Sequence, residues 1–309
     1  MSEIARAEAI LRAACDDRLR TAFPMAPLTT FRIGGPAALY LEPDSDADLE
    51  AASQALAVSG LPHVVIGKGS NVLVSDRGFE GLVIRLGRGY RWAAREGDRL
   101  AAGGSMPLPA LAGVALRHGL TGLEFGVAIP ASLGGSVKMN AGAHGGEMAD
   151  VIVEIETFRL DEGRAERVAA ADAGFSYRRT DLAAGAVVTA ATAALRPGPP
   201  DRIRAAMDEA RSWRRRTQPL AEPNCGSVFK NPPNGHAAAL IEESGLKGTR
   251  VGDAQVSTKH ANFIVAGEAA RAEDVRTLID LIRRAVETRT GVTLEPEVQM
   301  IGGFDRVTR

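Results

Sequence analysis

Residues 126–160 read GVAIPASLGGSVKMNAGAHGGEMADVIVEIETFRL, a glycine-dense passage that runs directly into strand-forming sequence. Counted from Gly122, seven glycines fall at positions 122, 126, 134, 135, 142, 145 and 146. Glycine loses more backbone freedom on folding than any other residue, so this density is costly unless the backbone must run close to something flat or tightly packed. Ala131, Ser132, Gly134, Gly135 and Ser136, followed by Asn140, Ala141, Gly142 and Ala143, suit a cofactor surface. They equally suit tight turns between a helix and a strand. VIVEIETFRL and AVVTAATAAL (186–195) then bracket FSYRRTDL (175–182), so helices and strands share one α+β chain.

Upstream, LPHVVIGKGSNVLVSDRGFEGLVIRL (61–86) gives a strand at VVI, a tight turn at GKGSN, and strands at VLV and LVIRL. Gly67, Gly69, Ser70 and Asn71 let backbone N–H groups approach an anionic ligand, and they also make a respectable turn. The dinucleotide fingerprint GxGxxG is not met, because a strand rather than a helix follows. Residues 5–20 read as a helix followed by the loop AFPMAPLTT, and FRIGGPAALYLEP (31–43) as a short strand pair turned at Gly34 and Gly35. SDADLEAASQALAVSG (45–60) makes a helix with polar start and glycine stop. A strand-turn-strand passage (92–104) and a helix within 106–125 lead back to the glycine-rich passage.

Downstream, LRPGPPDRIRAAMDEARSWRRRTQP (195–219) is a turn, a charged helix and a proline stop, with a domain boundary near 200–219. Beyond it come the strand-like SVF, a helix ending at Gly245, a strand at TKHANFIVA (258–266), a helix at 272–291 and a final strand at LEPEVQMIGGF (294–304).

A chain of 309 residues is long enough for two or three cores. A formal net charge of -1 leaves no extended basic field for nucleic acid, although Arg214, Arg215 and Arg216 form either a small-anion site or ordinary surface. The N-terminus has no apolar stretch fit for a signal peptide or membrane span, which implies a cytoplasmic protein. Two cysteines, Cys15 and Cys225, make neither a disulfide framework nor a four-thiolate metal site. The five histidines show no metal-ligand spacing, so no metal is expected.

Three polar clusters interrupt strand-forming sequence. Tyr177-Arg178-Arg179 presents a guanidinium fork for carboxylate or phosphate, or an exposed basic turn. CGSVFKN (225–231) places Ser227 at a strand start, where a hydroxyl serves as proton donor or as ordinary polar filler, and GxSxG is absent. In LEPEV (294–298) a strand would point Glu295 and Glu297 to one face, either solvated or lining a closed pocket.

Taken in order, TTFRIGG (29–35), GKGSNVLVSD (67–76), IPASLGGSVKMNAGAHGGE (129–147), YRRT (177–180), GSVFKNP (226–232), KHANFIV (259–265) and LEPEVQMIG (294–302) cover nearly the whole chain. Together they resemble the UDP-N-acetylenolpyruvoylglucosamine reductases, flavoenzymes of peptidoglycan synthesis. The resemblance implies a two-lobed FAD-binding unit of the vanillyl-alcohol-oxidase type (1–88 and 89–213), a C-terminal α+β domain for the UDP-sugar (214–302), and a tail (303–309). It implies FAD as cofactor, NADPH as reductant and UDP-N-acetylglucosamine enolpyruvate as substrate, in a monomer without nucleic-acid or membrane partners. Hydride would pass from flavin N5 to the vinyl carbon, with Ser227 protonating C2.

Carried over by motif, Arg178, Ser227 and Glu297 are implied to be catalytic. Gly67, Lys68, Gly69, Ser70 and Asn71 would cradle the pyrophosphate, and Gly134, Gly135, Ser136, Asn140, Gly142 and Gly145 would line the dinucleotide and flavin. Tyr177, Asn231, Lys259 and His260 would reach the substrate. Ala131 replaces the usual glycine after Ile-Pro, and its methyl group must fit beside the cofactor loop. The short span from Tyr177 to Ser227 matches the family's shorter class, which lacks a substrate-covering insertion and its tyrosine. Two other readings are an FAD-dependent alcohol or hydroxyacid oxidoreductase and a non-catalytic nucleotide-sugar binding protein.

Overall fold

The computed structural model describes residues 2–304; the tail expected at 303–309 lies, from residue 305 on, outside the described residues. The chain forms two compact units. The first takes the residues up to Thr21, Leu39–Lys68 and Gly81–Trp213, and the second takes Ala22–Ala38, Gly69–Glu80 and the chain from Arg214 on.

In the first unit α1 (Glu3–Cys15) starts where the Ser2 side chain accepts the Ala5 N–H, and buries Ala7, Leu11 and Cys15 at four-residue spacing. It stops at Cys15 rather than at residue 20, and a strand, Leu19–Pro24, replaces part of the expected loop. Helix α2 (Asp46–Ser59) has a full capping box between Ser45 and Asp48 and ends on Gly60 in the left-handed region. These helices share a core with Leu39, Leu41, Leu82, Ile84 and Phe158. His63–Val65 pairs in parallel with Leu82–Ile84.

A second core of this unit lies on a five-stranded antiparallel sheet. Its order is Arg164–Ala169, Ile152–Arg159, Ala186–Ala194, Arg99–Gly103, Ala93–Glu96. The strand Arg164–Ala169 alternates exposed and half-buried residues and was not expected from sequence: its arginines, glutamate and alanines carry no apolar alternation. Helices α3 (Leu108–Arg117), α4 (Leu133–Lys138) and α5 (Pro200–Thr217) supply apolar residues to the same core, α5 through Ile203, Met207 and Ala210.

The second unit gathers Phe31, Ile33 and Leu73 into one core with α6 (Ala237–Glu243), α7 (Ala272–Thr290) and a three-stranded antiparallel sheet, Arg250–Val251, Ala254–Val256 and Ile264–Ala266. Along α7, Val275, Leu278, Ile279, Ile282 and Val286 form the buried stripe, and Gly291 ends the helix at φ 71°. Val72–Val74 pairs in parallel with Gln299–Ile301.

Three expected strands shorten here. FRIGGPAALYLEP yields only Pro36–Leu41, because Gly34 turns at φ 122° and Gly35 packs directly on the backbone of residues 76–78. TKHANFIVA yields only Ile264–Ala266, and LEPEVQMIGGF only Gln299–Ile301.

Candidate active site

The glycine-rich passage makes two local structures. Its first half is α4, capped by the Ser132 side chain, which accepts the Gly135 N–H. The small residues let this helix lie on the strand Ala186–Ala194: a Cβ on Gly134 would stand 2.9 Å from the Val188 carbonyl oxygen. The first amides of α4 are consumed within the protein, Leu133 N–H by Met106 and Gly134 N–H by Gly104. Ala131 fits half-buried, its carbonyl accepting the Leu108 N–H at the start of α3. Ser136 is fully buried, and its hydroxyl has no hydrogen-bond partner among the described residues.

The second half is a hairpin. Gly142–Ala143 pairs with Gly146–Glu147, and the turn residues His144 (φ 52°) and Gly145 (φ 80°) both take the left-handed conformation of a type I′ turn. Nothing lies within 4 Å of a Cβ placed on Gly145, whereas one on Gly146 would meet the Phe125 ring at 2.8 Å. The His144 ring stands edge-on to Trp213 at 5.1 Å.

Tyr177 and Arg178 form the tip of a second tight turn closed by the reciprocal hydrogen bonds of Ser176 and Arg179. Arg178 sits at φ 57°, a conformation that side-chain-bearing residues rarely take and that clusters at functional positions. Its guanidinium donates to the Gly142 carbonyl (3.0 Å) and lies 5.1 Å from the Tyr177 ring. Asn140 holds this turn from beneath. Fully buried, it donates to the Ser176 carbonyl (3.0 Å) and accepts the Ala149 N–H (3.0 Å). The Lys138 ammonium, donating to the carbonyls of Leu182 and Ala183, fixes the same segment.

At 67–71 the chain passes from the first unit to the second. Gly67 has no room for a Cβ beside the Ser132 hydroxyl, and Gly69 (φ 64°) none beside the Leu28 carbonyl. The Gly69 carbonyl accepts both the N–H and the hydroxyl of Thr30, which draws the TTFRIGG segment against this turn. Among the described residues, the backbone N–H groups of Gly67, Lys68, Gly69, Ser70 and Asn71 donate to no protein acceptor. Unpaired backbone amides of this kind are donors that an anion can satisfy. The Lys68 pKa is lowered by burial and then by the positive charges of Arg85 and Arg91, a group of cations that an anion would relieve. Unpaired amide donors beside clustered cations are the chemistry that a pyrophosphate calls for.

In the second unit Ser227 is half-buried between Gly226 (φ 80°) and the buried Val228. The Val228 carbonyl accepts the Glu297 N–H at 2.8 Å, and Phe229 bridges Pro296, so the segments of Ser227 and Glu297 run side by side. Asn71 donates from its side chain to the Glu297 carbonyl at 3.1 Å. Glu295 and Glu297 flank an isolated bridge instead of sharing one face of a strand. Glu295 is an exposed partner of Lys230 (2.6 Å), while Glu297 is half-buried.

The remaining expected residues are engaged locally. The Asn231 side chain accepts the Ala237 N–H at the start of α6. Lys259 donates to the Arg215 carbonyl in the last turn of α5 (2.6 Å). His260 accepts the Asn262 N–H through Nδ1 (3.3 Å) and packs edge-on against Phe263. Burial, then the Lys247 charge, hold its imidazole below the ordinary value. Cys225 is core filling, its thiol pushed up by burial, and Arg214 is tucked against Gln218. Among the described residues no three His, Cys, Asp or Glu side chains are grouped to hold a metal, and no helix is long and apolar enough to cross a membrane.

The residue that sequence reasoning passed over is Asn262. Its buried side chain both accepts the Phe229 N–H and donates to the Phe229 carbonyl. A polar residue between His260 and an apolar run was the available signal, but the expected strand at 258–266 assigned it no separate task.

Comparison with known proteins is consistent along the chain. Residues 37–169 match an FAD binding domain, and residues 218–301 match the C-terminal domain of UDP-N-acetylenolpyruvoylglucosamine reductase. The chain is 48% identical over 289 residues to UDP-N-acetylenolpyruvoylglucosamine reductase 2 of Symbiobacterium thermophilum, covering 92% of each. It is 46% identical to the reductase of Heliobacterium modesticaldum, covering 90% of this chain and 89% of that one. The crystal structure of the reductase from Thermus caldophilus superimposes with a TM-score of 0.80 at 37% identity, over 92% of this chain and 99% of that chain. An FAD-binding region of the vanillyl-alcohol-oxidase type followed by the reductase C-terminal domain is thus the architecture of this flavoenzyme. On its identity to these proteins over nine-tenths of its length, the chain belongs to the UDP-N-acetylenolpyruvoylglucosamine reductase family.

Proposed function

We propose that this chain uses NADPH to reduce the side chain of UDP-N-acetylglucosamine enolpyruvate, giving UDP-N-acetylmuramate for peptidoglycan synthesis, and that it does so in the cytoplasm as a monomer. The activity named for its relatives supports the reading. The local observation that carries it is the bond from Glu297 N–H to the Val228 carbonyl, which sets Ser227 and Glu297 on adjoining segments. FAD, when bound, would supply the two-electron hydride chemistry between NADPH and the enolpyruvyl side chain.

This chain's own residues answer the charge and the proton. Hydride addition at the terminal vinyl carbon drives negative charge through C2 into the carboxylate. The Arg178 fork stabilises that charge, held in its strained turn by Asn140. Ser227 Oγ gives its proton to C2. A serine is a weak acid in water, but opposite a strongly basic enediolate in a preorganised setting it becomes competent. Glu297 orients the hydroxyl or the intermediate. The free amides of 67–71 and Lys68 would hold the FAD pyrophosphate, with Gly134, Gly135, Gly142 and Gly145 lining the dinucleotide, while the fully buried Ser136 packs behind them. Tyr177, Asn231, Lys259 and His260 contribute to the sugar-nucleotide side.

Ser227→Ala should retain flavin and its reduction by NADPH, while reoxidation by the enolpyruvyl sugar slows by about a thousandfold. Anaerobic stopped-flow measurement of the two half-reactions separates them. Equal slowing of both, with flavin retained, would remove Ser227 as the proton donor.

A further inference from the structure

Asn262 makes both side-chain hydrogen bonds to one residue: Oδ1 accepts the Phe229 N–H at 2.9 Å, and Nδ2 donates to the Phe229 carbonyl at 2.8 Å. Its own carbonyl accepts the Val228 N–H, also at 2.9 Å. A side-chain amide used this way imitates the edge of a neighbouring strand. On the other side the Val228 carbonyl accepts the N–H groups of Glu297 (2.8 Å) and Val298 (3.4 Å). Residues 228 and 229 are therefore gripped from both sides. Ser227 hangs from the gripped end, and on its other side stands Gly226, at φ 80° with open space where a Cβ would be.

We propose that Asn262 is a positioning residue for Ser227: it fixes the Val228–Phe229 peptide so that the Ser227 hydroxyl keeps its register with Glu297. The proposal rests on the reading of Ser227 as proton donor. At 5% exposure an apolar residue would fill the space of Asn262, yet none could hold both polar groups of Phe229.

The test uses the flavin-loaded protein, with Asn262→Ala and Asn262→Asp made alone and combined with Ser227→Ala. Asn262→Ala should slow reoxidation by the enolpyruvyl sugar by about tenfold to a hundredfold, with reduction by NADPH within about twofold of wild type. In the Ser227→Ala background the same change should cost less than about threefold, because the hydroxyl it positions is gone. The carboxyl of Asn262→Asp keeps the acceptor for Phe229 N–H, but when ionised it sets an oxygen against the Phe229 carbonyl. Protonated, it donates there. Reoxidation in this variant should recover toward wild type as pH falls, and in Asn262→Ala it should not. The neighbouring titratable groups, His260, Glu297 and Cys225, are also present in wild type, so the ratio of variant to wild type isolates the new carboxyl.

Full additivity with Ser227→Ala, equal slowing of both half-reactions, or absence of the recovery at low pH would each overturn the proposal. So would loss of flavin in both single variants, which would make the clamp a requirement of the fold. Unchanged reoxidation in Ser227→Ala alone would instead strike the underlying assignment of the proton donor, whatever the Asn262 variants do.

Discussion

Asn140 and His260 show how much a single side chain decides. Asn140 is fully buried and satisfies the Ser176 carbonyl and the Ala149 N–H at once. Asn140→Ala strands both groups and puts alanine at φ 41°, so it should lower stability by roughly 3 kcal/mol. A denaturant midpoint unchanged from wild type would contradict this. For His260 the folded-state pKa lies below the unfolded value, since burial and Lys247 disfavour the cation. The unfolded chain then binds the proton more readily, so stability is lost as pH falls through the unfolded value near ~6.5 and below. His260→Gln should flatten the stability curve between about pH 7 and 5, and parallel curves for variant and wild type would refute the assignment. Neither role was legible in the sequence. The motif named Asn140 and His260 as ligand-facing positions, but periodicity carries no information on which backbone groups a polar side chain will satisfy.

Among the elements, the turn at 67–71 makes the sharpest expectation. Gly69→Ala places a Cβ against the Leu28 carbonyl at φ 64°, which must displace the turn and its free amides. The purified variant should carry much less flavin per chain than wild type. Gly97→Ala is the control, because Gly97 has a similar φ of 58° with nothing within 4 Å. Full flavin content in Gly69→Ala would count against this turn as the pyrophosphate site. Elements with local signals were legible: α2 from its Ser/Asp-rich start and Gly60, and α7 from its acidic start and its Arg/Thr end. The strand after GKGSN was legible too, and with it the distinction from the dinucleotide fingerprint. Elements set by contacts distant in sequence were not. Helix α4 reads as a run of small residues until the strand Ala186–Ala194 is laid beneath it, and Glu295 and Glu297 read as one strand face until the Phe229–Pro296 bridge separates them.

For the whole molecule, seven short motifs spread from residue 29 to residue 302 carried the family assignment, and matches over nine-tenths of the chain bear it out. Each motif alone was ambiguous, as the two readings of 67–71, turn or phosphate loop, illustrate. Their order along the chain was not. Electrons held by this protein pass to an enolpyruvyl sugar. The direct measurement is anaerobic mixing of the NADPH-reduced, flavin-loaded protein with UDP-N-acetylglucosamine enolpyruvate, with the flavin absorbance followed and the sugar product quantified. The oxidised flavin spectrum should return rapidly, with one UDP-N-acetylmuramate formed per flavin. A flavin that stays reduced until air is admitted, with the enolpyruvyl sugar recovered unchanged, would contradict it.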